Sequence, residues 1–254
     1  MLEIIRLSWI FFFVSFFWPS NVLSSEIKNI GGVEAFVSKP KSGLNGAVIY
    51  LHGTKIRKLG YDKASWRGYD LSDFVEAFAR KGFVAVAPIR TTDIGTSNGD
   101  EALSEVVSST NKAISFIEKT HPELATRIFL VGFSEGGLGA LWALTNNLKV
   151  RAAVVASPAT MDGSIKKNFS TSKSKNWSEF LAREMARSIK TPVLFTIGSD
   201  EWENMQVFVN RLVKQLADSQ HPSIKKVYTG HHKMFHVPKK DWIKDIVNFF
   251  EVFR

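Results

Sequence analysis

Five short apolar runs punctuate the chain: AVIYL at 47–51, FVAVAP at 83–88, IFLV at 128–131, AAVVA within 151–158 and PVLFTI at 192–197. Each is rich in branched or aromatic residues and bounded by Gly, Pro or charge. That composition suits strands buried on both faces. Between the runs the period changes to that of a helix with one apolar side. One such set is Leu71, Phe74, Val75, Phe78 and Ala79, with Asp70 placed to cap and Gly82 to terminate. Another is Leu103, Val106, Val107, Ile114 and Ile117, opened by Asn98-Gly99-Asp100. Val209, Leu212, Val213 and Leu216 form a third, and Ile243, Ile246, Val247, Phe250 and Phe253 a fourth. Strand and helix alternate, which predicts a mostly parallel central sheet flanked by helices on both faces. An early strand at 35–38, closed by Pro40 and a Gly43/Gly46 turn, and a last strand at 224–228 complete it. Residues 55–68 read as a basic, polar loop, with Arg57, Tyr61 and Trp66 as candidate substrate contacts against the alternative of a solvated loop.

Two stretches break the alternation. Residues 1–24 have one base, Arg6, ahead of an apolar core at 7–18. About 12 residues is signal-peptide length and short of the ~20 needed to span a bilayer. Pro19, Ser20 and Asn21 end the core, and Val22 and Ser24 stand where a signal peptidase reads small residues, so cleavage is expected after Ser24. The alternative is an uncleaved anchor. Residues 25–254 then form one domain. Within it, 159–190 is rich in Lys, Ser and Asn before a short helix carrying Trp177, Phe180, Leu181 and Met185. It reads as a small cap inserted over the strand ends, where open parallel sheets bind ligands.

With 254 residues and 44% hydrophobic content, the chain can build one large core. The absence of cysteine excludes a thiol nucleophile, disulfides and thiolate metal sites. An exported chain without cysteine fits a bacterial periplasm or secretion. The formal charge is +9, and loss of residues 1–24, with Glu3 and Arg6, leaves it unchanged. A solvated basic surface is one reading; attraction to acidic substrates or an anionic membrane is the other. No zinc-finger spacing, RNP motif or dense arginine stripe supports nucleic-acid binding.

The chemistry gathers at RIFLVGFSEGGLGALWAL, residues 127–144. Strand, G-x-S-x-G and helix in succession form a nucleophile elbow at Ser134, with Gly132 and Gly136 where a side chain would collide with its neighbours. The helix start behind Ser134 favours negative charge in front of it. Behind a nucleophile elbow of this kind, the acid and then the histidine follow the serine along the chain. The strand at 192–197 ends in GSDE, so Asp200 is the preferred acid and Glu201 the alternative. The last strand leads into GHHKMFH, where His232 is the preferred base and His231 and His236 the alternatives. The strand at 47–51 runs into His52-Gly53-Thr54, and backbone N–H groups of Thr54 and Glu135 would bind an oxyanion. His52 comes too early to be the base and reads as structural. Arg90 is a candidate partner for the Glu135 carboxylate. The late histidines lack a carboxylate at ligand spacing, so no metal site is expected.

With YLHG, VGFSEGG, GSDE and GHHKMFH in this order, residues 33–253 resemble the α/β-hydrolases, and most closely the dienelactone hydrolase branch. PIRTTDIGTS at 88–97 is similar to that branch's Arg-Gly-x-Gly-x-Ser segment through Arg90, Gly95 and Ser97, without its first glycine. Dienelactone hydrolase carries cysteine at the elbow; Ser134 here points to serine-esterase chemistry instead. The resemblance implies Ser-His-Asp roles but supplies no substrate; the serine mechanism itself leads to the expectation of a small-molecule ester or acyl substrate and no cofactor. Peptidase, thioesterase and acyltransferase chemistry use the same triad, and a binding protein on a hydrolase fold is the non-catalytic alternative.

Overall fold

The computed structural model describes residues 24–91, 99–160, 183 and 185–254, with the side chains of 99–101 outside that set. The expected export segment, most of the cap insertion with Trp177, Phe180 and Leu181, and Gly95 and Ser97 of the arginine-led segment lie outside the described residues.

Eight strands form one sheet: β1 (Glu26–Asn29), β2 (Glu34–Ser38), β3 (Gly46–Leu51), β4 (Phe83–Pro88), β5 (Ile128–Phe133), β6 (Ala153–Ala156), β7 (Val193–Gly198) and β8 (Ser223–Tyr228). Their spatial order is β1-β2-β4-β3-β5-β6-β7-β8. The pairs β1–β2 and β2–β4 are antiparallel; every pair from β4 to β8 is parallel. The chain passes from β3 to β4 on one side and then returns to place β5 on the other. This is a topological switch point, and crevices form there at the carboxyl ends of the strands.

Among the described residues the longer α-helices are α1 (Thr54–Leu59), α2 (Tyr61–Trp66), α3 (Leu71–Ala79), α4 (Gly99–Thr120), α5 (Glu135–Leu144), α6 (Glu203–Asp218) and α7 (Lys240–Val252). Strand alternation divides the core in two. Ala47, Ile49, Leu51, Ile128, Leu130, Val193, Phe195 and Ile197 pack with α4, α5 and α6. Val48, Tyr50, Phe129, Val131 and Phe133 face the other way, onto α1, α2, α3 and α7. Every residue of β3, β4 and β5 is buried, as the unbroken apolar runs predicted. Asp70 Oδ1 accepts the Ser72 N–H at 2.8 Å and caps α3 as expected.

Two features depart from the sequence reading. β1 is a polar edge strand, EIKN, without an apolar signal; its place comes from pairing with β2. Residues 54–66 form two short helices where a loop was expected. Each buries a single residue, Ile56 and Ala64, so neither offers a sustained apolar period. β8 is the opposite edge, and its exposed Lys225 and Lys226 are the kind of residue that discourages pairing with another chain.

Candidate active site

Ser134 follows the last residue of β5 and has φ 55° and ψ −120°, a strained setting for a residue with a side chain. The turn is fixed from both sides. Ser134 N–H donates to Ala156 O at 3.0 Å, and Ser134 O accepts from Ala159 N at 2.8 Å. A Cβ at Gly132 would lie 2.4 Å from Gly136 O, and one at Gly136 would lie 2.0 Å from Leu51 O. Gly132 therefore lets α5 fold back onto β5, and Gly136 lets α5 approach the end of β3, each more closely than a side chain allows, as the motif required.

His232 Nε2 lies 2.9 Å from Ser134 Oγ across 98 residues of sequence. Its Nδ1 lies 3.0 Å from Glu201 Oε2. Glu201 is the acid the structure brings to the histidine, in place of the preferred Asp200. The reason is local. Asp200 N–H donates to Gly230 O at 2.9 Å and Gly230 N–H to Ser199 Oγ at 3.1 Å, so the acid loop is stitched edge to edge to the histidine loop. That pairing leaves the Asp200 side chain exposed, accepting from Ser199 Oγ at 3.1 Å. Glu201, one residue on, turns inward and has the extra methylene to reach the ring. A Cβ at Gly198 would lie 2.3 Å from Gly230 O, so the two loops approach more closely than any side chain allows.

Burial pushes the Glu201 carboxyl up, but the hydrogen bond and charge of His232 and the Trp202 N–H, at 3.1 Å, hold it below its ordinary value. An ionised Glu201 accepts Nδ1–H, which leaves Nε2 free to accept the Ser134 hydroxyl proton. The imidazole is packed between Phe133 and Trp202, with centroid distances of 4.8 and 4.7 Å. Of the alternative bases, His231 is exposed and its side chain accepts Lys233 N–H at 3.2 Å. His236 stacks on Tyr69 at 4.9 Å, and burial and then the charge of Lys55 depress its pKa to about 4.

Thr54 and Glu135 are the first residues of α1 and α5, so their N–H groups have no acceptor within their helices. Gly53 packs against the nucleophile: a Cβ there would lie 3.1 Å from Ser134 Cβ. Its own N–H is bound to Tyr69 Oη at 2.9 Å, and Tyr69 Oη to Tyr50 Oη at 3.0 Å. That relay fixes the loop bearing Thr54. His52 is structural, as expected. Burial and then the Arg90 charge depress its pKa to about 3, so it is neutral, with Nδ1–H donating to Gly53 O and Nε2 accepting Arg90 N–H at 2.9 Å. The Glu135 carboxylate meets Arg90 Nη2 at 3.6 Å, as anticipated, and Arg57 Nε more closely at 3.1 Å. Arg57 is thus a buried ion-pair partner of Glu135. Tyr61 packs edge-on against Phe36, and Trp66 is 87% exposed; none of the three lines the cleft.

That cleft, about 500 Å³, opens onto Ser134. Phe133, Tyr69, Ala159, Trp202 and Met205 supply its apolar walls, and Lys55, Asp200 and Lys233 its charged ones. Among the described residues no group of three His, Asp or Glu side chains converges as metal ligands, and no helix is long and apolar enough to cross a membrane.

No protein-family model and no curated protein sequence matches the chain. Solved structures do match. A protein assigned as a dienelactone hydrolase from Klebsiella pneumoniae superimposes with a TM-score of 0.66 at 18% identity, over 92% of this chain and 98% of its own. An esterase of Pyrococcus furiosus gives 0.59 at 20% identity, over 91% and 92%. An acylaminoacyl peptidase of Pyrococcus horikoshii gives 0.65 at 16% identity, over 90% of this chain but 40% of its own. The chain has the α/β-hydrolase fold.

On this α/β-hydrolase scaffold Ser134, the Gly53-Thr54 loop, Glu201 and His232 come from the ends of β5, β3, β7 and β8, the four strand ends singled out in the sequence. The sequence reading missed Trp202, Met205 and Tyr69 as cleft residues. Trp202 and Met205 flank the start of α6, and the only available signal was an exposed-type tryptophan directly after the acid. Tyr69 precedes the Asp70 cap and gave none.

Proposed function

We propose that the protein is a serine hydrolase that cleaves carboxylic esters through an acyl-enzyme. The observation carrying this reading is the unbroken chain from Glu201 through His232 to Ser134, 3.0 and 2.9 Å, at a strained elbow in an open cleft. His232 Nε2 takes the hydroxyl proton as Ser134 Oγ attacks the ester carbonyl. Glu201 stays ionised, holds the ring and stabilises the imidazolium. The N–H groups of Thr54 and Glu135 bind the oxyanion, aided by the α5 N-terminus. His232 then protonates the departing alcohol, and the same nitrogen activates the water that releases the acid and restores Ser134. Ester-cleaving proteins among the structural neighbours support the ester reading, as does a cleft whose walls are mainly apolar.

The test pairs labelling with turnover. A fluorophosphonate probe should form an adduct on Ser134 that Ser134→Ala abolishes, and 4-nitrophenyl esters of increasing acyl length should be hydrolysed up to the length the cleft admits. An intact, folded protein that neither labels nor turns over any ester refutes the proposal. Transfer of the acyl group to added alcohols in preference to water would reassign it as an acyltransferase.

A further inference from the structure

Two ammonium groups line the cleft, and among the described residues neither has an acidic partner. Lys55 follows the oxyanion residue Thr54, and Lys233 follows the base His232; both line the cleft that opens onto Ser134. Lys55 Nζ is held by Arg67 O at 2.6 Å, an acceptor that leaves its charge uncancelled. Among the described residues neither lysine reaches a carboxylate at ion-pair distance. Of the two acids in the cleft, Glu201 is committed to His232, and Asp200 accepts from the neutral Ser199 Oγ and so keeps its own charge at the exposed rim, on the acid loop. The two lysines also feel each other. Burial and then repulsion from Arg67 and Lys233 depress the Lys55 pKa, and both lysines help keep the neighbouring His236 neutral. Like charges brought together at the mouth of an apolar cleft are unfavourable until an anion lies between them. The chain's +9 charge would draw the same kind of ligand from solution.

We propose that this site selects esters bearing an anionic group, a carboxylate or phosphate, on an apolar body. The anion sits between Lys55 and Lys233 while Tyr69, Phe133, Trp202 and Met205 take the body. Lys55 and Lys233 are then the specificity-determining residues. This rests on the ester-hydrolase reading above and names the substrate class of the same site.

The experiment compares pairs in which esterifying a second carboxylate removes the charge. Monoethyl adipate against diethyl adipate places the anion on the acyl arm, and 4-acetoxybenzoate against its methyl ester places it on the alcohol arm. The readout is the ratio of kcat/KM, anionic over neutral, within each protein, so partial misfolding cancels. Wild type should favour the anionic member of at least one pair tenfold or more, and the pair that does so tells which arm carries the anion. The ratio should fall towards unity in Lys55→Met/Lys233→Met, and in wild type at about 0.5 M salt, where exposed charges are screened. Ratios near or below unity for both pairs, in a protein that labels at Ser134 and cleaves the neutral esters, overturn the selectivity and leave the hydrolase reading intact. A ratio above ten that the double variant retains overturns the assignment to these lysines. Loss of both labelling and cleavage overturns the hydrolase reading, and the selectivity with it.

Discussion

Glu201→Gln, set against Asp200→Asn, separates the two adjacent acids. Glu201 Oε2 sits 3.0 Å from His232 Nδ1 with a side chain fully withdrawn from solvent. The amide keeps the size and an oxygen that can accept, but loses the charge that stabilises imidazolium. It can also present its NH₂ to Nδ1, which would move the ring proton to Nε2 and stop that nitrogen from accepting from Ser134. Loss of the orienting charge in such triads costs on the order of 10³–10⁴ in kcat, or roughly 4–5.5 kcal/mol of barrier. Asp200 is exposed, and among the described residues its carboxylate meets only Ser199 Oγ, at 3.1 Å. An exposed substitution of that kind changes free energies by about 0.5 kcal/mol, roughly a factor of two in rate. The assay is 4-nitrophenyl butyrate hydrolysis together with the rate of fluorophosphonate labelling. Thermal melts are recorded in parallel to exclude unfolding. A thousandfold loss in Asp200→Asn with Glu201→Gln close to wild type would refute the assignment and the loop argument behind it.

Tyr69→Phe removes the acceptor of the Gly53 N–H and should lower kcat about tenfold with a smaller change in KM, because the oxyanion donor beside it is felt mainly in the transition state. Equal losses in binding a neutral ground-state analogue would contradict that. Gly136→Ala would place a Cβ 2.0 Å from Leu51 O, so urea melts should show a loss of more than about 3 kcal/mol, or no folded protein. Acid should destabilise the fold through His52. Its pKa falls from 6.5 to about 3 on folding, so the unfolded chain binds the proton more tightly, and stability present above pH 6.5 is lost as pH falls towards 3. Between about pH 7.5 and about pH 5 the loss from this one group is on the order of 2 kcal/mol. Denaturant midpoints should fall accordingly, and less steeply in His52→Gln.

What was legible in the sequence, and what was not, follows from the range of the forces involved. β3, β4 and β5 could be read because burial on both faces demands unbroken apolar runs, and the elbow because its glycines answer a backbone contact visible in the motif itself. β1 could not be read: EIKN carries no apolar pattern and is held by β2 across the sheet. α1 and α2 were hidden because each buries one residue against α3 and the sheet. The acid was narrowed to two neighbours and no further. Which of them turns inward depends on Asp200 N–H pairing with Gly230 O, a contact made 30 residues away along the chain. His232 was distinguishable from His231 and His236 only through the pattern Gly-x-His-x-x-Phe, Gly230 to Phe235, and the structure gives its first spacing a reason. Gly230 must touch Gly198, and two residues later the chain reaches Ser134.

The Glu135 side chain poses a problem that the surrounding arginines resolve. Its backbone N–H is one of the two proposed oxyanion donors, while its carboxylate is buried next to the serine that must become negative. An uncompensated carboxylate there would oppose both the attacking alkoxide and the oxyanion, in a setting where few waters screen it. Arg57 at 3.1 Å and Arg90 at 3.6 Å cancel that field from the side away from the cleft. Arg90 also donates to His52 O at 2.6 Å, and its backbone N–H to His52 Nε2 at 2.9 Å, so the cation is anchored to the strand end that carries Gly53 and Thr54. One guanidinium therefore joins the two halves of the proposed oxyanion site, the β3 loop and the α5 start. The neutrality of His52 belongs to the same design. A protonated ring could no longer accept the Arg90 N–H, and the tie between the halves would be lost together with the stability that acid removes.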